Sequence, residues 1–328
     1  MLIYRSGSFS ESKESDNNQF LLYRFYHIPA DVSPLKISIQ HLKEGTNMKE
    51  FTVKDHEPSI LPEGNWELVW SDEFDGKELD RTKWDYRLHM MQKRWVSWND
   101  RCVHLDGNSN AVFTIEEENG KIVCSQLQTG YNYMDAPVIK TQSATTVRNE
   151  DLQWPIGKLK KSMYTHGPGY YECRCRLQQM KGWWSAFWIQ SPIIGASLDP
   201  AESGVEIDIM ESFNPGKIAG HNVFTGGYGL DSKRIQLGGK VIKEVDEKQW
   251  HRFGLLWDET GYTFYIDGEM TGKVTEHQTA KPEFILISTE VWGYRSKVYD
   301  CNFTPAAVEA VKAGDNFMVD YVRVFEKR

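Results

Sequence analysis

Gly204-Val205-Glu206-Ile207-Asp208-Ile209-Met210-Glu211 is the stretch from which fold and chemistry can both be read. As a β-strand it alternates: Val205, Ile207 and Ile209 fall on one side, Glu206 and Asp208 on the other. Three aliphatic residues opposite two acids describe a strand with one face in a core and the other facing a cleft. Glu211 breaks the pattern. In a regular strand it would point with Ile207 and Ile209 into the core, where a carboxylate is very costly unless protonated or paired. One extra residue near Ile209 or Met210, a β-bulge, re-aims everything after it and turns Glu211 to the side of Glu206 and Asp208. Three acids crowded on one face repel each other, so their presence together points to a use. Two structural alternatives are weaker. Calcium favours loop ligands and carbonyls over consecutive strand positions; the other alternative is that the acids are solvated edge charges.

The rest of the chain extends the β reading. Alternating segments at 66–70, 170–177, 184–189, 205–209, 253–257, 263–266, 284–288 and 318–325 are separated by the turn signals Asp75-Gly76, Asp106-Gly107, Asn119-Gly120, Thr260-Gly261 and Asp267-Gly268. Many short strands and one convincing short helix, 305–313, predict an all-β sandwich in a single domain over 66–328. Residues 48–65 read as a linker. Residues 1–47 are polar and too poor in apolar residues to build a core. Lys43-Glu44-Gly45 can be encoded by a bacterial ribosome-binding sequence at a suitable distance from Met48. The stretch before Met48 therefore reads as a translated leader or tolerated extension, or alternatively as a real N-terminal strand or arm.

Composition narrows the function. The formal net charge of −8 argues against nucleic acid or an anionic membrane surface as partner. No apolar stretch is long enough to span a bilayer. Aromatic residues make up 13% of the 328, with 12 Trp, which suits either flat platforms for sugar rings or aromatic-packed sheet cores. The five cysteines, Cys102, Cys124, Cys173, Cys175 and Cys301, cannot all pair with one another and show no zinc spacing. Cys173 and Cys175 read as small buried strand positions, and free thiols suit a reducing compartment. No secretory signal precedes the first polar tract, so the chain as given reads as cytoplasmic.

Glycoside hydrolysis fits the three acids. It requires one ionised carboxylate and one protonated carboxyl about 5–5.5 Å apart in retaining enzymes, a spacing that neighbouring positions on one strand face supply. Mutual repulsion keeps one of them protonated near neutral pH.

At this point the sequence resembles the glycoside hydrolase family 16, in its laminarinase, agarase and carrageenase branch. Glu206-Ile207-Asp208-Ile209-Met210-Glu211 matches that branch's bulged Glu-x-Asp-x-x-Glu signature. The flanking segments Glu67–Gly76, Gly169–Glu172, Gly182–Trp188, Trp250–Trp257, Tyr265–Gly268 and Val319–Val324 resemble family strands in family order. The resemblance implies a jelly-roll sandwich, concanavalin A-like, with a concave substrate cleft. It implies Glu206 as nucleophile, Glu211 as acid/base and Asp208 as their helper. It also implies Trp184 and Trp188 as sugar-stacking residues, with Trp183 pointing the opposite way. His221 is similar to a family histidine near the acid/base, and Trp95, Trp98 and Trp292 lie in segments that read as cleft loops. No cofactor is required, although relatives carry a structural calcium to which Asp320 is the matching residue.

The segments 87–95 and 226–229 match no substrate-diagnostic pattern. Three readings stay open: an endo-acting glucanase on β-1,3- or mixed-linked glucan, a hydrolase of agar-, porphyran- or carrageenan-type galactan using Arg94, Lys158, Lys160 and Lys161 to hold sulfate, and a non-catalytic lectin-like module. A lectin does not need Glu206 and Glu211. In each case the partner is a polysaccharide or oligosaccharide, and the expected state is a monomer.

Overall fold

The alternating stretches pair antiparallel into two stacked sheets in a computed structural model, which describes residues 47–87, 98–132, 159–227, 231–238, 241–291 and 304–328. The expected extension over 1–47 lies outside these residues except for its last position. In chain order the strands are β1 (Lys49–Phe51), β2 (Ser59–Leu61), β3 (Trp66–Asp72), β4 (Asp85–Tyr86), β5 (Val103–Leu105), β6 (Ala111–Thr114), β7 (Glu116–Glu118), β8 (Lys121–Val123), β9 (Gln126–Gln128), β10 (Gly169–Arg176), β11 (Trp183–Gln190), β12 (Glu206–Asn214), β13 (Lys217–Ile218), β14 (Asn222–Thr225), β15 (Lys233–Gln236), β16 (Lys243–Glu244), β17 (His251–Asp258), β18 (Gly261–Ile266), β19 (Glu269–Val274), β20 (Phe284–Val291) and β21 (Asn316–Lys327).

One sheet runs β19-β18-β17-β10-β21-β6-β5, with β3 also on β21. The other, which carries the acidic strand, runs β15-β14-β12-β11-β20-β9-β4, with β13 and β16 joined at one side. Non-consecutive neighbours in both sheets make this the jelly-roll sandwich expected from the sequence. The core between the sheets takes the apolar side of each alternation. Phe187, Ile189, Ile207, Ile209, Val223, Ile285 and Ile287 come from one sheet; Tyr171, Cys173, Phe253, Leu255, Phe264 and Val322 come from the other. Cys102, Cys124, Cys173 and Cys175 are all buried free thiols, and burial pushes Cys102 up to about 12, so it is an inert core residue at neutral pH.

The helix expected over 305–313 is α2 (Pro305–Ala313), after a four-residue α1 (Pro200–Ser203). The Thr304 hydroxyl accepts the Ala307 N–H, Pro305 opens the first turn, and Gly314 closes the last at a φ of 63°. Just beyond it, the buried Asp315 accepts the backbone N–H groups of Gln179 and Met180 and the indole N–H of Trp183, each at 2.9 Å. One carboxylate thereby fixes the entry to β11.

Residues 48–65 are not a plain linker. β1 and β2 pair with each other, and Leu61 joins Tyr170, Tyr265 and Phe325 in a second cluster against which Met48, Phe51 and Trp66 pack. Apolar residues spaced through 48–66 need burial, and Tyr170 and Phe325 supply it on the side of their strands opposite Tyr171 and Val324.

The β18–β19 hairpin turns at Asp267-Gly268. His251 Nδ1 lies 2.7 Å from Asp267 Oδ2, and its Nε2 is 2.8 Å from the Asp246 carbonyl. Burial opposes charging this ring, but its hydrogen bonds to Asp267 and Asp246 outweigh burial and raise its pKa. The pair therefore stabilises the fold fully below the unfolded histidine value of about 6.5, and this contribution disappears as pH rises through the raised folded value. Asp267→Asn keeps a residue type tolerant of the left-handed φ of 52°. Thermal melts should show it below the parent by about 0.5 kcal/mol or less at pH 6, screened by solvent, with the gap narrowing by pH 9. An equal gap at both pH values would refute the assignment.

Candidate active site

Residue pairing between β11 and β12 locates the bulge. Gln190, Ile189 and Trp188 face Glu206, Ile207 and Asp208, whereas Phe187, Ala186 and Ser185 face Met210, Glu211 and Ser212. Ile209 is the extra residue. Ile209 and Met210 both enter the core, and Glu211 emerges opposite Ala186, on the face that also carries Trp184 and Trp188. Glu206 and Asp208 are each 8% exposed, and Glu211 is half-buried. The strand reaches this position through Gly204, whose φ is 73° and where a Cβ would sit 2.4 Å from Ser191 Cβ. A side chain there would push β12 away from the end of β11.

The electrostatics raise both Asp208 and Glu211. Burial first, then the charges of Glu206 and Glu290, raise Glu211 to about 8, against weaker pulls from Arg234 and an Asn222 hydrogen bond. Asp208 is raised by burial and by Glu211 and Glu206. Glu211 thus stands protonated at neutral pH, ready to give a proton. Asn222 Nδ2 donates to Glu211 Oε2 at 2.9 Å, and Gln190 Nε2 donates to Glu206 Oε2 at 2.7 Å.

The aromatic candidates divide. Trp184 and Trp188 lie on the face of the acids and are half-buried. Trp188 donates its indole N–H to Ser288 Oγ at 3.0 Å and carries the Arg87 guanidinium 5.3 Å from its ring centroid. Trp183 points the other way and is fully buried. Trp98 is corrected. It is 6% exposed within the hydrophobic core, so it offers no open platform to a sugar. Trp95 and Trp292 lie outside the described residues.

His221 is also corrected: it does not face the cleft. Its ring is buried between the sheets, stacked on Phe264 at 4.2 Å between centroids, and burial lowers its pKa to about 4. Nδ1 lies 2.9 Å from the Ile209 carbonyl and Nε2 2.8 Å from Thr271 Oγ1. A carbonyl only accepts, so Nδ1 carries the proton of the neutral ring and Nε2 accepts from the threonine. The histidine thus satisfies the carbonyl of the bulged residue and ties the bulge to the opposite sheet.

The calcium expectation at Asp320 does not fit. Asp320 Oδ2 is engaged by Arg174 Nη1, and Arg323 adds a second nearby positive charge. A guanidinium occupies the oxygen that a divalent cation would need. Among the described residues, no group of three or more His, Cys, Asp or Glu is arranged to hold a metal.

Sequence reasoning missed Gln190, Asn222 and Glu290. Gln190 was legible in principle, since it continues the 184, 186, 188 alternation onto the acidic face. Asn222 and Glu290 belong to strands whose phase is set only by pairing with β12 and β11.

A family model described as glycosyl hydrolases family 16 matches residues 90–294. The chain is 25% identical over 283 residues to a glucan endo-1,3-beta-glucosidase A1 of Niallia circulans, covering 80% of this chain and 38% of that protein. It is 27% identical to a beta-glucanase of Rhodothermus marinus over 285 residues, covering 80% of this chain and 85% of the relative. A solved non-specific endo-β-1,3(4)-glucanase superposes with a TM-score of 0.55 at 19% identity, covering 87% of this chain and 98% of the other.

Proposed function

We propose that this chain, which belongs to glycosyl hydrolases family 16, is a retaining, endo-acting hydrolase of β-1,3- or mixed-linked glucan. The observation that carries the reading is the bulge at Ile209, which brings Glu206, Asp208 and Glu211 to one face of the sheet while Glu211 is held protonated near neutral pH. Glu206 attacks the anomeric carbon as the glycosidic bond breaks, and Glu211 gives its proton to the departing sugar oxygen. The product of this step is a glycosyl ester on Glu206. Glu211, now ionised, takes a proton from water, the water oxygen displaces Glu206 at the same carbon, and the sugar leaves with its original configuration. Asp208, between the two, shares the local charge. Trp184 and Trp188 offer ring faces for neighbouring pyranoses.

The choice of glucan is supported by the names of the two curated relatives and by the acidic net charge, which suits a neutral polymer. The galactan reading gains nothing from Lys160. Its ammonium is engaged by Asp85 Oδ2 at 3.2 Å and the Tyr131 hydroxyl at 2.7 Å; Arg94 and Lys158 lie outside the described residues. The test is incubation with laminarin, lichenan, agarose, porphyran and carrageenan. The expected result is mid-chain cleavage of laminarin or lichenan, with the first-formed reducing end in the β configuration by proton NMR. Products from a galactan alone would replace the substrate assignment. Binding without cleavage would favour the lectin reading.

A further inference from the structure

We propose that Gln190 is a positioning residue for Glu206: its side-chain amide, itself locked by Asn132, holds one oxygen of the nucleophilic carboxylate and keeps the other aimed at the sugar. The inference rests on the glycosidase reading of this same face and adds the residue that selects which of three crowded acids works as the anion.

Gln190 is the last residue of β11 and sits directly opposite Glu206 in the ladder. It is fully buried, where a polar side chain is retained only if its hydrogen bonds are made. Its Nε2 donates to Glu206 Oε2 at 2.7 Å, and Asn132 Nδ2 donates to its Oε1. The two contacts fix the amide in one sense. Turned over, the carbonyl would face an anionic carboxylate on one side and the amide N–H groups would face the Asn132 donor on the other. An amide N–H given to a carboxylate favours the ionised form, and a donor held at both ends loses little freedom when the substrate arrives.

The titratable groups around Glu206 are mostly acids. Asp208 and Glu211 flank it on β12 and are both raised in its company. Glu283, the residue before β20, is close enough to be raised by Glu206, and Glu290, within β20, adds negative charge near Glu211. Against them stands Arg234 of β15, which lowers Asp208 and Glu211. Asn222 gives its amide to Glu211 Oε2, so Glu206 has a fully buried donor of its own in Gln190.

Gln190→Met keeps the length and removes the donor; Asn132→Ser frees the amide without removing it. Two readouts separate positioning from general support of the fold. On whichever glucan the parent cleaves, Gln190→Met should lower kcat by about 10- to 100-fold, the range of one charged hydrogen bond, with KM nearly unchanged. The acid limb of kcat/KM should move up by about one pH unit. Asn132→Ser should move both in the same direction by less. Independently of any substrate, carbon NMR of glutamate-labelled protein should show the Glu206 carboxyl, assigned by its loss in Glu206→Gln, titrating at higher pH in Gln190→Met than in the parent. A fall in rate accompanied by a lower melting temperature but unmoved acid limb and carboxyl titration would overturn the proposal, as would a parent-like profile in both variants. If the parent cleaves no polysaccharide, the glycosidase reading fails on that result, and the carboxyl titration alone decides whether Gln190 governs Glu206.

Discussion

Glu206→Gln and Glu211→Gln should each leave a folded protein that has lost nearly all turnover on laminarin or lichenan, by about 10⁴-fold, the upper range for removing an acid/base group and within that for removing a nucleophile. The two losses should differ in kind. Without Glu206 there is no carboxylate opposite the leaving group, and no substrate restores the first step. Without Glu211 the first step lacks only its proton, so an aryl glycoside with a good leaving group should still form the glycosyl ester and release its aryl alcohol in a burst, after which hydrolysis stalls. Added azide should accelerate the alanine variants by entering the space each side chain vacates. Glu211→Ala should give a glycosyl azide of retained configuration, and Glu206→Ala one of inverted configuration. Near-normal rates in either glutamine variant would remove the acid pair from the mechanism. Azide products with the configurations exchanged would reverse the roles of the two residues.

The bulge was legible because Glu211 has the wrong parity. Glu211 lies five positions after Glu206, so a regular strand would place them on opposite faces, and the burial cost of a carboxylate forces a local exception. The helix over 305–313 was legible as well, and the structure ends it with local caps: Thr304 and Pro305 at its start and Gly314 at its close. The readings that failed depended on what lies across from a residue. His221 directly precedes β14, and only the pairing of Asn222 with Asp208 shows that the asparagine faces the acids while the histidine turns inward beneath the bulge. Trp98 reads as a loop aromatic until its parallel bridge to Cys124 brings it into the core. Asp320 matches a calcium-binding position by local sequence, but Arg174, 146 positions away, supplies its counter-charge. The short β1–β2 pair has too few residues to show an alternation and is held by Tyr170 and Phe325, which its own sequence does not reveal.

The pH profile should carry the signature of this crowding. With Glu211 raised to about 8, kcat/KM should fall by about tenfold per unit as pH rises past that value, because the acid form needed for the first step is being lost. Burial is the largest cause, and Glu206 and Glu290 follow. Glu290→Gln removes one negative charge without opening the site, so its alkaline limb should move to lower pH. Arg234→Ala removes a compensating positive charge and should move the limb the other way. Stability should depend on pH with the opposite dependence to that of an ion-paired carboxylate. Below the unfolded glutamate value of about 4.3, Glu211 is protonated in both states and has no effect. Between there and about 8 the unfolded chain ionises first, so the folded state is progressively penalised, and above about 8 the penalty levels off. Glutamine resembles the protonated acid at every pH. Glu211→Gln should therefore melt close to the parent at pH 4 and above it at pH 9, by an amount on the order of one to a few kcal/mol, or about 2–4 °C for each of them in a domain of this size. The variant that loses the reaction would be the more stable protein under alkaline conditions, as expected when three acids are held together for chemistry against their mutual repulsion. Parallel melting curves for parent and variant from pH 4 to 9 would mean that Glu211 titrates like an exposed glutamate, and the site would then lack its proton donor at neutral pH.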